Sequence, residues 1–184
     1  DSVASRGLGD VYKRQLFTRI ILFLQRKKFG FDLNPTKAWG IVPRLMFGIN
    51  FFFKLISSKK SRIDASLRTL ISVRVSQINN CEFCVDMNSY LFFETKGELK
   101  KINQLKSWKG NNIYSAKEQV ALEYAETITI TGRSVTEDLQ SRLLQQFKKK
   151  DIIELTAIVA FQNLSSKFNS CLLYTSPSPR DATL

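Results

Sequence analysis

Pro35 and Pro43 are the only prolines in residues 16–170, and both precede residue 45. A chain that runs so far without proline can propagate helices freely. Its apolar residues recur at helical spacing, and no strand-like alternation is present. The clearest stretch is DASLRTLISVRVSQINN, residues 64–80. Leu67, Leu70, Ile71, Val73, Val75 and Ile78 fall mainly on one helical face, with Arg68 and Arg74 off it. Asp64 or Ser66 caps its start, and Asn79-Asn80 ends it, because asparagine tolerates the left-handed conformation.

The same signals predict an all-α chain. LFTRIILFLQRKKFG (16–30) has an apolar face and a basic end closed by Gly30. DLNPTKAWGIVP (32–43) reads as a connector with a short helix, and 44–57 as an apolar-rich helix, buried or partner-facing. A helix starting near Cys81 runs through Phe93 and is broken by Gly97. ELKKINQLKSW (98–108) is a short helix and KGNN (109–112) a loop. SAKEQVALEYAETITITG (115–132) opens with a capping box, Ser115 with Glu118, and stops at Gly132. VTEDLQSRLLQQF (135–147) is capped by Thr136, with acids in its first turn. KDIIELTAIVAFQNLSSKFN (150–169) is the last helix and, being the more apolar, the expected centre of the fold.

The ends read differently. Residues 1–15 and 171–184 lack apolar periodicity. Ser5–Gln15 and Cys171–Asp181 can be encoded by one DNA string and its reverse complement, with the frame moved by one. That string is similar to a transposase sequencing adapter, so both segments are expected to be adapter-derived and are set aside. The natural gene is then expected to extend past both ends. Two regions remain: an N-terminal helical region, 16–58, and a domain over 59–170.

The whole chain has 28 basic and 16 acidic residues, a net charge of +12. Without Arg6, Lys13, Arg14, Arg180, Asp1, Asp10 and Asp181 the balance is 24 to 13, or +11. The lysines are scattered and no nucleic-acid signature accompanies them, which favours a solvated basic surface over a nucleic-acid partner. No run reaches the ~18 apolar residues of a membrane span. Setting Cys171 aside leaves Cys81 and Cys84, too few for a disulfide-stapled scaffold, so a reducing, cytoplasmic setting is expected.

Cys81 and Cys84 form a Cys-x-x-Cys at a helix start. Free backbone N–H groups and the positive end of the helix dipole favour a thiolate there. Residues i and i+3 share a face, so the sulfurs can close a disulfide. Such a pair exchanges with other dithiols, or attacks a peroxide and resolves the sulfenic acid. Burial as small hydrophobes is the structural alternative. Zinc needs four ligands, and the chain has one cysteine pair and no histidine, so no metal or other cofactor is expected.

LRTLISVRVSQINNCEFCVDMNSYL (67–91), AKEQVALEYAETIT (116–129) and DIIELTAIVAFQNLSSKFN (151–169), in that order, resemble the carboxymuconolactone decarboxylase family, specifically its alkylhydroperoxidase AhpD-like branch. The resemblance implies an all-helical fold, homo-oligomeric assembly, and thiol-based peroxide reduction or disulfide exchange with an external dithiol reductant. The decarboxylase branch acts instead on a lactone in aromatic catabolism. A non-enzymatic helical protein with a sensing or packing dithiol is the reading from another class.

The chain departs from the AhpD-like pattern at each proton-relay position. Thr69 replaces a glutamate, while Phe83 and Asn88 replace histidines. Asn88 can hydrogen-bond a thiol or peroxide oxygen but cannot shuttle a proton. The candidate site is therefore Cys81, Cys84 and Asn88, with Glu82 and Asp86 as the nearest acids. Met87 and Tyr90 are expected in the core, and Gln77 and Asn163 are expected to satisfy buried backbone or an oligomer contact.

Overall fold

The computed structural model describes residue 16 and residues 18–30, 32–95 and 97–172. Residues 1–15 and most of the C-terminal segment set aside above, 173–184, lie outside the described residues. The regular structure of the described residues is all helical, with no strand among them. The chain forms two compact units, Asp1–Lys54 and Leu55–Leu184.

The first unit contains α1 (18–29), α2 (Asn34–Gly40) and most of α3 (Pro43–Ile56). Gly30 sits at φ 83°, the left-handed geometry that closes α1. Met46 of α3 is fully buried, and its sulfur accepts a hydrogen bond from the Thr18 hydroxyl at 3.6 Å. Of the two readings of this apolar helix, burial is not observed. Met46 is its one buried residue, while Leu45, Phe47, Phe51, Phe52 and Phe53 face outward.

In the second unit α4 (Ala65–Ile78) is the hub. It packs against α5 (Glu82–Glu94), α7 (Ala116–Thr129) and α9 (Lys149–Leu172). Asp64 caps it by accepting from the Leu67 N–H. Leu67, Ile71 and Val75, spaced four apart, join a core formed with α7, α8 (Glu137–Gln146) and α9. Leu70 and Val73 turn the other way, to a second core built with Phe92, Leu105, Trp108, Tyr114 and Leu122. With apolar neighbours on both sides, the helix is buried nearly all round, which a one-faced reading did not anticipate. Each such aliphatic side chain contributes about 1.5–3 kcal/mol by leaving water.

α9 is less enclosed than expected, since Ile153 and Leu164 are exposed. It continues through Cys171 and Leu172, two residues into the segment set aside. The stretch 98–108 is a short helix α6 (Leu99–Asn103) followed by a 3-10 turn (Leu105–Ser107). The capping box of α7 is present, with Ser115 and Glu118 each accepting from the other's backbone N–H. Tyr90, expected in the core, is exposed, because α5 turns Phe92 rather than Tyr90 inward.

Gly97 does more than end a helix. A Cβ there would overlap the ring of Phe92, which is fully buried in the second core. Gly97→Ala should therefore destabilise the chain by about 1–3 kcal/mol, as overpacking does. Chemical denaturation would show this as a lower midpoint at unchanged slope, and an unchanged midpoint would contradict the packing described.

Candidate active site

The two cysteines are placed by how α4 ends and α5 begins. Asn79 is the C-cap of α4, and Asn80 adopts φ 51°, turning the chain sharply. The Cys81 N–H then donates back to the Ser76 carbonyl at 3.0 Å. Cys81 is the N-cap of α5, and its sulfur accepts the Cys84 N–H at 3.3 Å. Cys81 and Cys84 are joined as a disulfide, with Cα atoms 5.2 Å apart. Both residues are buried, at 3% exposure each.

The side chain that reaches the Cys84 sulfur comes from α9. Asn169 Nδ2 donates to Cys84 Sγ at 3.2 Å. Asn88, one turn after Cys84, is engaged elsewhere: its Nδ2 donates to the Cys84 carbonyl at 2.8 Å and to Gln162 Oε1 at 3.3 Å. Gln162 Nε2 in turn donates to the hydroxyls of Ser76 and Ser166, each at 2.9 Å. A polar seam thus runs between α4, α5 and α9 beside the disulfide.

The other relay positions have no acid–base role in this geometry. Thr69 is buried, and its hydroxyl donates to the Ala65 and Ser66 carbonyls of its own helix, at 2.8 and 3.0 Å. Phe83 is half-buried and apolar, Glu82 is exposed, and Asp86 is half-buried in the second turn of α5.

Gln77 and Asn163 are hydrogen-bonded within the chain. Arg74 donates to Gln77 Oε1 at 3.1 Å. Asn163 accepts from Asn79 and donates to the Thr129 hydroxyl, both at 2.9 Å. Asn169, Gln162, Ser76 and Ser166 join the site only through the fold. A signal was present: Gln162, Ser166 and Asn169 recur at i, i+4 and i+7, a polar stripe in an otherwise apolar helix.

A second buried polar group lies on the other side of α4. Glu126 of α7, 4% exposed, accepts from Arg74 Nε at 2.7 Å and from Trp108 Nε1 at 2.8 Å. Lys109 is 3.5 Å away. Burial on its own pushes the Glu126 carboxyl up, but the hydrogen bonds from Trp108 and Arg74 and the nearby positive charges outweigh it and hold the carboxyl below its ordinary value. Glu126 is thus a fully partnered structural anion rather than a general base.

Comparison with known proteins agrees with this fold. Residues 48–127 match the carboxymuconolactone decarboxylase family. The uncharacterized protein YnjA of Escherichia coli (strain K12) is 35% identical over 166 residues, covering 90% of this chain and 91% of YnjA. The chain belongs to the carboxymuconolactone decarboxylase family, and its all-helical fold is that of the AhpD-like members. One such structure is the alkylhydroperoxidase AhpD core of an uncharacterized peroxidase-related protein from Ralstonia eutropha JMP134. It aligns with TM-score 0.74 at 19% identity, covering 84% of this chain and 82% of that one. The debrominase Bmp8 aligns with TM-score 0.77 at 20% identity, covering 90% of this chain and 89% of its own.

Proposed function

We propose that the protein is a thiol-dependent hydroperoxide reductase that uses Cys81 and Cys84 as a redox pair and an external dithiol as reductant. The observation that carries this reading is the bonded pair at the N-terminus of α5 with an N–H donor on each sulfur, Cys84 N on Cys81 and Asn169 Nδ2 on Cys84. Donors of that kind stabilise sulfur as a thiolate, the nucleophilic form. The peroxidase-related AhpD core among similar structures supports the same chemistry. Thiol–disulfide exchange shares the reductive half of that cycle, with a substrate disulfide in place of peroxide as the electron acceptor.

In this reading Asn88 positions the start of α5 by holding the Cys84 carbonyl, and Glu82 and Asp86 are flanking acids. Proton delivery then falls to solvent and the hydroxyl-lined seam, because the chain has no histidine. Lactone decarboxylation fits less well. It requires acid–base groups, and Glu126, a buried carboxylate, is committed to Arg74 and Trp108. We further propose assembly into a homo-oligomer, supported by the outward phenylalanines of α3.

The reaction has a simple test. Protein mixed with hydrogen peroxide and a dithiol should consume the two in equal amounts, well above the rate of the dithiol alone. Equal rates with and without protein would remove the peroxidase reading.

A further inference from the structure

Asn169 is buried at 4% exposure, and its amide has two ends in different situations. Nδ2 donates to Cys84 Sγ at 3.2 Å. Oδ1 is buried and has no hydrogen-bond partner among the described residues. A buried unsatisfied acceptor is unfavourable, so its persistence beside a reactive sulfur calls for a reason. The neighbouring amide shows the contrast: Gln162 has both ends paired. An asparagine presents a donor and an acceptor at fixed spacing, so with Nδ2 on the Cys84 sulfur the unpartnered Oδ1 is held within one amide width of that donor.

We propose that Asn169 is a catalytic residue whose Nδ2–H stabilises negative charge on the Cys84 sulfur and whose Oδ1 accepts the O–H of a hydroperoxide held at that sulfur. The inference rests on the thiol-peroxidase reading above and assigns Cys84 as the attacking thiol. The Cys84 thiolate attacks the terminal oxygen of R–O–O–H. An S–O bond forms and the O–O bond breaks, so sulfur is oxidised and the peroxide reduced. The alkoxide takes a proton from solvent and leaves as ROH. The Cys81 thiolate then displaces hydroxide from the Cys84 sulfenic acid; the hydroxide is protonated to water and the disulfide forms. An external dithiol reduces that disulfide and is itself oxidised to its disulfide. In that last step Cys84 can depart as a thiolate, and Asn169 Nδ2–H again meets the developing charge.

The test uses the C81S/C171S chain, in which Cys84 is the sole thiol, with and without N169L. Two reagents are compared: hydrogen peroxide, which carries an O–H, and methyl methanethiosulfonate, which carries neither O–H nor N–H. At pH 7, N169L should slow both reactions about tenfold, the loss of one hydrogen bond to a charged group. At a pH of about 10.5, where ordinary thiols are ionised, the thiosulfonate reaction should return to the parent rate. The peroxide reaction should stay about tenfold slow. Parent-like rates with both reagents at both pH values would overturn the proposal. A peroxide rate that recovers fully at high pH would overturn the acceptor role alone. If N169L loses its helical circular dichroism, N169S is read by the same criteria. These single-thiol rates decide the role of Asn169 even if the unmodified chain shows no dithiol-dependent turnover, which would count against the peroxidase reading instead.

Discussion

Cys84→Ser should lower dithiol-dependent hydrogen peroxide turnover by about a thousandfold or more, to the level of the dithiol alone, because a serine hydroxyl is neither ionised nor able to form the disulfide. Cys81→Ser loses the internal disulfide for a different reason. It retains the sulfur that Asn169 contacts, so without dithiol it should reduce one equivalent of peroxide and stop as a sulfenic acid. Cys171, the exposed thiol at the end of α9, is replaced in both chains so that it contributes nothing. Trapping of a sulfenic acid by dimedone checks the difference. Turnover that survives Cys84→Ser would show that the dithiol is not the working group.

Arg74→Met should destabilise the fold by about 3–5 kcal/mol, the penalty for removing one partner of a buried ion pair. Arg74 lies 2.6 Å from the Glu126 carboxylate, and Glu126 is enclosed between α4 and α7. Trp108 and Lys109 remain as partners, which places the expectation at the lower end of that range. The pH dependence follows from Glu126. Its carboxyl is held below the ordinary value of 4.5, so its stabilising contribution is present above that pH and is lost as pH falls through the lowered value. Without Arg74, burial dominates and Glu126 takes up a proton more readily. The gap between Arg74→Met and the unmodified chain should therefore narrow between pH 7 and about pH 4. Pairing R74M with E126Q should recover much of the loss at neutral pH, since glutamine carries no charge and can still accept from Trp108. Urea denaturation at the two pH values checks both statements. A gap independent of pH would mean that Arg74 acts by packing alone.

Much of the fold is legible in the chain because its helices carry their own boundary chemistry. Asp64, Ser115 and Thr136 each cap the helix they precede. Asn80 and Gly30 take the left-handed conformation their residue types permit. The Cys-x-x-Cys at a helix start is local information of the same kind. The burial of α4 is not, because periodicity reports one apolar face and cannot say that a second core will form on the other. Tyr90 fails for the same reason: which of two neighbouring aromatics on α5 turns inward is decided by the helices packed against it. Asn169 lies 85 residues from Cys84. Nothing local to CEFCVDM indicates it, and only the recurrence of polar residues along α9 hints that its inner face is not purely apolar. Asn88, the residue singled out from the sequence, contacts the backbone of Cys84, while the sulfur is contacted from another helix.

The most direct test is to reduce the C171S chain, remove the reductant, add one equivalent of hydrogen peroxide, and identify the oxidised peptide by mass spectrometry under acid quench. The proposed chemistry predicts that the peptide containing Cys81 and Cys84 loses two hydrogen atoms as a single disulfide, at a rate matching peroxide consumption. Peroxide that disappears while both cysteines remain thiols, or thiols that persist through many equivalents of peroxide, would contradict it.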